Sequence, residues 1–191
     1  MALPILDYSG AIFSFTSTIL YTRNNVWAWI VCIIASLINL YLYYITGIFA
    51  DASLELVYFA LALYGIWYWM YGGINKTEIR ISHAPANELI ICSIFAILGF
   101  IYIYYVLITH SNSNIAMLDS AATVLSLCGQ WLMCRRYLET WVVWFFVDCL
   151  LAAIFWYKNL PAHLVLNLLY LPIAYYGYCR WSKIQASLTN I

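Results

Sequence analysis

Charge is what this chain has least of. Eight Lys and Arg balance eight Asp and Glu, and charged residues are 8% of the sequence. No polybasic arm or acidic run is present, which argues against nucleic acid or a strongly charged partner. Histidine is scarce too: His83, His110 and His163 lie far apart in sequence, without metal-ligand spacing. The six cysteines, Cys32, Cys92, Cys128, Cys134, Cys149 and Cys179, form no C-x-x-C pair, so they read as small buried apolar residues. No Walker A pattern, H-E-x-x-H or G-x-S-x-G occurs, so neither ATP drive nor hydrolysis has visible residues, and no cofactor is expected. Met1 to Asp7 carries no basic region of the kind that opens a signal peptide, and this stretch reads as part of the mature fold.

What is abundant is apolar surface, at 66% of residues against roughly 45–50% in soluble domains. Seven apolar segments stand near 5–22, 26–46, 53–71, 88–108, 115–133, 140–157 and 162–181. Their lengths suit a hydrocarbon core of about 30 Å. The first is the most polar, with Asp7, Ser9, Ser14, Thr16, Ser17 and Thr18.

The chain is also written twice. Asp7, Arg23, Trp29, Tyr58, Tyr64, Gly65 and Trp69 recur 112 residues later as Asp119, Arg135, Trp141, Tyr170, Tyr176, Gly177 and Trp181. Segments one to three therefore match segments five to seven, and the fourth has no counterpart. Three spans leave the chain on the wrong side for a parallel second copy, so the odd helix is a linker. The expected fold is all-α and integral to the membrane, with seven transmembrane helices in a 3+1+3 parallel repeat. It forms a single membrane domain over 1–191, with bundles at 5–71 and 115–182 and the linker at 88–108. Parallel repeats of this kind are related by an axis along the membrane normal and usually mean a carrier.

Seven spans put Arg23, Lys76, Arg80, Arg135, Arg136, Arg180 and Lys183 on the side of the C-terminus and leave Lys158 on the other. The bias predicts a cytoplasmic C-terminus and an external N-terminus.

The densest functional signal is Thr140-Trp-Val-Val-Trp-Phe-Phe-Val-Asp148. At 3.6 residues per turn, Trp141, Trp144 and Asp148 share one helix face, and two indoles with a carboxylate suit recognition of a cation. An acid within a span is a functional-site hypothesis, set against a hydrogen-bonded structural Asp. The repeat places Trp29, Cys32 and Ser36 at the matching positions, and Asn39 continues that face. Ser36, Asn39 and the amide of Gln130 are added as substrate-binding candidates. Glu55 with its counterpart Asn167, and Tyr58 with Tyr170, are candidate gate residues or interface polar groups. The paired Tyr-Gly steps at 64–65 and 176–177 read as helix packing.

Gly129-Gln-Trp-Leu-Met-Cys-Arg-Arg-Tyr-Leu-Glu-Thr-Trp-Val-Val-Trp144, with Asp148, Tyr64-Gly-Ile-Trp-Tyr-Trp69 and Tyr176-Gly-Tyr-Cys-Arg-Trp181, resembles the PnuC family of bacterial nicotinamide riboside transporters. The resemblance implies a fold like that of the SWEET sugar carriers, a homotrimer in the bacterial cytoplasmic membrane, and facilitated diffusion pulled forward by phosphorylation inside the cell, feeding NAD synthesis. It maps the family's W-x-x-W onto Trp141 and Trp144, its Gln onto Gln130, and its Asn or Asp onto Asp148. Related Pnu transporters carry thiamine or riboflavin, so either vitamin is a rival substrate. Two further readings stay open: a proton-coupled carrier using Asp148, and a receptor or scaffold without transport.

Overall fold

The computed structural model describes residues 2–110 and 114–189. Among these, seven α-helices follow in order: α1 (Ala2–Thr22), α2 (Trp27–Ile45), α3 (Phe49–Tyr71), α4 (Ala86–His110), α5 (Ala116–Cys134), α6 (Thr140–Tyr157) and α7 (Pro161–Thr189). A short 3-10 turn, Ile74–Lys76, interrupts the α3–α4 connection. The helices stand where the apolar segments predict them, apart from their ends. The largest difference is α7, which runs on to Thr189 because Lys183 and the polar residues after it continue the helix beyond the apolar stretch.

Five of these helices are long and apolar enough to cross a membrane: α1, α2, α3, α4 and α6. The other two, α5 and α7, are more polar. In α5 the polar groups face inward: Ser120, Ser126 and Gln130 are buried. A helix enclosed by protein need not be apolar all round, because its neighbours rather than lipid satisfy it.

Helix ends explain the sharp connections. After α1 and α5 the chain turns through left-handed residues, Asn24 (φ 55°) and Arg136 (φ 61°). The next amides reach back five residues, Asn25 N–H to Leu20 C=O at 3.1 Å and Tyr137 N–H to Leu132 C=O at 3.0 Å. After α2 and α6 the same device uses Gly47 (φ 77°) and Asn159 (φ 55°). There Ile48 N–H donates to Tyr43 C=O at 2.8 Å, and Leu160 N–H donates to Phe155 C=O at 2.9 Å. These Schellman-type caps satisfy carbonyls that a helix end leaves unpaired.

Within the bundle α1 packs on α2 and α2 on α3, while α5 packs on α6 and α6 on α7. Contacts of α3 with α5 and of α1 with α7 join the two sets, and α4 leans on α5. No described α4 residue is buried, and Ile90, Ile91, Ile94, Ile97, Leu98 and Ile101 are exposed on it. A helix apolar on its open face needs hydrocarbon around it.

The core sits at one end of the bundle, next to the connections that carry most of the cations. Trp29, Trp69, Trp141 and Trp181 are buried there. Trp29 meets Trp69 edge to face with centroids 5.4 Å apart and planes at 89°, and Trp141 meets Trp181 with the same two values. Trp69 donates its indole N–H to Met133 C=O at 3.0 Å, and Trp181 donates to Tyr21 C=O at 3.0 Å. Each bond crosses from one three-helix set to the other.

Candidate functional site

The tryptophan layer closes one end of a cavity of about 220 Å³ enclosed by α1, α2, α3, α5, α6 and α7. Helix spacing builds its walls. Along α6, Trp141, Trp144, Asp148 and Leu151 recur every three or four residues and face the same space. Along α1, Ser14, Ser17, Thr18 and Tyr21 do likewise. Six pairs of lining residues are 112 positions apart: Thr18 and Gln130, Tyr21 and Met133, Cys32 and Trp144, Ser36 and Asp148, Glu55 and Asn167, Tyr58 and Tyr170. One set therefore supplies hydroxyls and a carboxylate where the other supplies amides, an indole and a carboxylate.

The sequence-predicted residues gather here with one exception. Trp141, Trp144, Asp148, Gln130 and Ser36 line the cavity, and so do the candidate gate residues Glu55, Asn167, Tyr58 and Tyr170. Asn39 does not. Its amide donates to Glu55 Oε1 at 3.1 Å, and its side chain fills the space that a β-carbon at Gly10 would need. The helical turn that separates Asn39 from Ser36 rotates it past the wall toward α1, so it holds Glu55 in place.

The two indoles differ in setting. Trp141 is 2% exposed, wedged between Trp181 and Gly177, where a β-carbon would come within 2.6 Å of its ring. Trp29 stands in the same way against Gly65. Trp141 is thus a fixed back wall. Trp144 is only partly buried and rests on Gly129, 3.2 Å from a β-carbon there, so its ring is the freer aromatic surface.

Asp148 is 5% exposed and faces the cavity with Tyr170 nearby. Asn167 donates to His163 C=O at 2.9 Å, within its own helix, which leaves its amide oxygen able to accept. Ser17 and Thr18 donate to Ser14 C=O at 2.8 and 3.0 Å, so their oxygens keep lone pairs for a ligand's N–H or O–H. The wall thus has two carboxylic acids, several acceptors, aromatic faces and no Lys, Arg or His among the described residues. Such a space suits an uncharged or cationic organic molecule and disfavours an anion.

The α1 face is what sequence reasoning missed. Ser14, Ser17, Thr18 and Tyr21 follow the i, i+3, i+4, i+7 spacing of one helix face, so the signal was present in a segment notable chiefly for being a polar span. Met133, Leu151 and Ala174 carry no such signal, because an apolar wall residue resembles any core residue. No group of three or more His, Cys, Asp or Glu able to hold a metal occurs among the described residues.

Comparison with known proteins places this architecture. The nicotinamide riboside transporter PnuC of Neisseria mucosa is 28% identical over 162 residues, covering 77% of this chain and 61% of that protein. The protein of the same name from Haemophilus influenzae is 34% identical over 67 residues, 35% of this chain and 29% of that one. This chain therefore spans less than two thirds of the length of those relatives. The crystal structure of the vitamin B3 transporter PnuC superposes with a TM-score of 0.72 at 23% identity, over 94% of this chain and 81% of that one, and so has the same fold. The family profile described as nicotinamide mononucleotide transporter matches residues 4–183, and this multi-pass membrane protein belongs to that PnuC family of transporters.

Proposed function

We propose that the chain is a uniporter that imports nicotinamide riboside by facilitated diffusion, with alternating access at the cavity between two three-helix bundles in a 3+1+3 arrangement of seven spans. The relatives' names supply the substrate class, and the observation that carries it to this chain is the charge of the wall. Asp148 and Glu55 face a space without a basic side chain among the described residues. Nicotinamide riboside has a cationic ring, a carboxamide and ribose hydroxyls. Trp144 stacks on the ring, a cation–π contact of about 0.5–2 kcal/mol, with Trp141 behind it. Asp148 balances the positive charge, and Gln130, Asn167, Ser36 and the α1 hydroxyls bond the carboxamide and ribose. Glu55, held by Asn39, and Tyr58 and Tyr170 gate the side away from the tryptophan layer.

The phosphate of a mononucleotide would meet these carboxyl groups with no cation to offset it, so the dephosphorylated riboside is the species carried. Phosphorylation inside the cell keeps the inward gradient and commits the riboside to NAD synthesis. The protein works in the bacterial cytoplasmic membrane as a homotrimer, N-terminus outside and C-terminus inside, and as a carrier rather than an enzyme. Thiamine is also an organic cation and is the main rival. Calorimetric titration of the purified protein with nicotinamide riboside, its mononucleotide, thiamine and riboflavin separates them. Binding of the riboside alone is the expected result, and binding of thiamine without the riboside would overturn the substrate. Uphill accumulation driven by a pH gradient in proteoliposomes without a kinase would replace uniport by proton coupling through Asp148.

A further inference from the structure

Arg136 occupies a position that its backbone disfavours. It lies in the α5–α6 connection at φ 61°, a left-handed conformation that costs a bulky residue about 1–2 kcal/mol. The matching position 112 residues earlier carries Asn24, a residue far better suited to that geometry. The side chain of Arg136 must therefore account for its presence.

That side chain is 2% exposed and held on every side. Its Nε–H donates to Asn24 Oδ1 at 2.7 Å, and one terminal nitrogen donates to Glu78 Oε1 at 2.7 Å. The other donates to Ile79 C=O. The guanidinium also lies over the Trp69 ring, 4.3 Å from its centroid. Its partners come from the α1–α2 turn, the α3–α4 connection and α3, whereas Arg136 belongs to the second set of helices. Its own main chain adds a further tie, with Ser82 N–H donating to Arg136 C=O at 3.4 Å.

Donor and acceptor of the Asn24 bond are 112 positions apart, so the bond joins two equivalent points and runs across the approximate two-fold relation between the helix sets. The Trp69–Met133 and Trp181–Tyr21 bonds, each 3.0 Å, form a reciprocal pair around it. Tyr21 and Met133 also line the cavity. The sealed floor of the cavity and the Arg136 network are consecutive layers of one closure.

We propose that Arg136 is a state-dependent latch: its bonds to Asn24 and the 78–79 segment hold the cation-rich end shut, and their release opens the cavity to that side. This rests on the reading of the chain as an alternating-access carrier. A buried guanidinium suits the role because its two states are both satisfied. Closed, it has three protein acceptors and an aromatic face; open, water replaces them and no buried charge is stranded.

Asn24 is the better residue to vary, because replacing Arg136 itself endangers folding. Asn24→Gly removes the acceptor and accepts positive φ without strain. Asn24→Asp keeps an acceptor and sets a carboxylate against the guanidinium, turning an already charge-assisted hydrogen bond into a stronger ion pair. Hydrogen exchange of the purified protein in nanodiscs should be faster in Asn24→Gly, and slower in Asn24→Asp, across 23–25, 78–82 and 135–139 together. Nicotinamide riboside flux in proteoliposomes should fall about 3–10-fold in Asn24→Asp, although its melting temperature rises, and should not fall in Asn24→Gly. A merely structural bond would move melting temperature and flux in the same direction, and that result overturns the latch. So does a change of exchange confined to 23–25. If the unaltered chain carries no riboside, the substrate reading fails, and exchange alone decides the latch.

Discussion

The ring of Trp141 occupies the space that a side chain at Gly177 would need, with a β-carbon there only 2.6 Å from the indole. Trp181 stands behind the ring at 5.4 Å, edge to face, so Trp141 has no room to retreat. The same relationship joins Trp29 and Gly65.

Gly177→Ala should accordingly lower stability by about 1–3 kcal/mol through overpacking, despite alanine's better helix propensity. Gly65→Ala should behave alike. Gly99→Ala, on the lightly packed α4, is the internal comparison, because its β-carbon would stand 3.3 Å from a methyl of Val124 on α5, and it should be near neutral. Thermal unfolding in detergent, read by tryptophan fluorescence, checks all three.

Trp144 should carry the aromatic contact with the ligand. Trp144→Ala is expected to weaken nicotinamide riboside binding about 10-fold, within the span of a cation–π contact, while Trp144→Phe keeps part of it. Equal losses in both variants would count against ring stacking. Titration calorimetry gives the constants.

Asp148→Asn keeps the shape of the wall and removes its charge. Affinity for the cationic riboside should fall about 10-fold or more, since a charge-assisted contact exceeds a neutral one by roughly 1–2 kcal/mol. Binding of uncharged riboflavin, if any, should not fall with it. Unaltered riboside affinity would show that Asp148 does not face the cation.

Sidedness follows from the cations. Fluorescent protein fused after Ile191 should fluoresce in a bacterial host, and alkaline phosphatase fused there should be inactive, if the cation-rich end lies in the cytoplasm as proposed. The opposite pattern would invert the proposed topology. Lys158, paired with Asp119 at 3.6 Å on the other side, is too little to reverse the bias.

Much of the candidate site's lining was legible because helix periodicity is geometric. Trp141, Trp144 and Asp148 share a face by spacing alone, and Ser36, Glu55, Asn167, Tyr58 and Tyr170 reach the same cavity. Asn39 shows where this ends. Spacing puts it near Ser36, yet one further turn carries it to the α1 side, and only the packing of α1 and α3 decides that it holds Glu55. Polar α1 was visible as polar, but whether its hydroxyls face lipid, a neighbour or a cavity depends on which helices surround it.

By itself the sequence determined a helical membrane protein, a residue pattern that recurs at a spacing of 112, and an acid and two indoles on one helix face. Local hydropathy and 3.6-residue periodicity suffice for that, because they act through each segment alone. The tertiary structure decided which tryptophan is a wall and which a free surface, and that equivalent residues Asn24 and Arg136 bond to each other. Those are contacts between distant segments, and their energies depend on how two helix sets meet, which no single segment encodes.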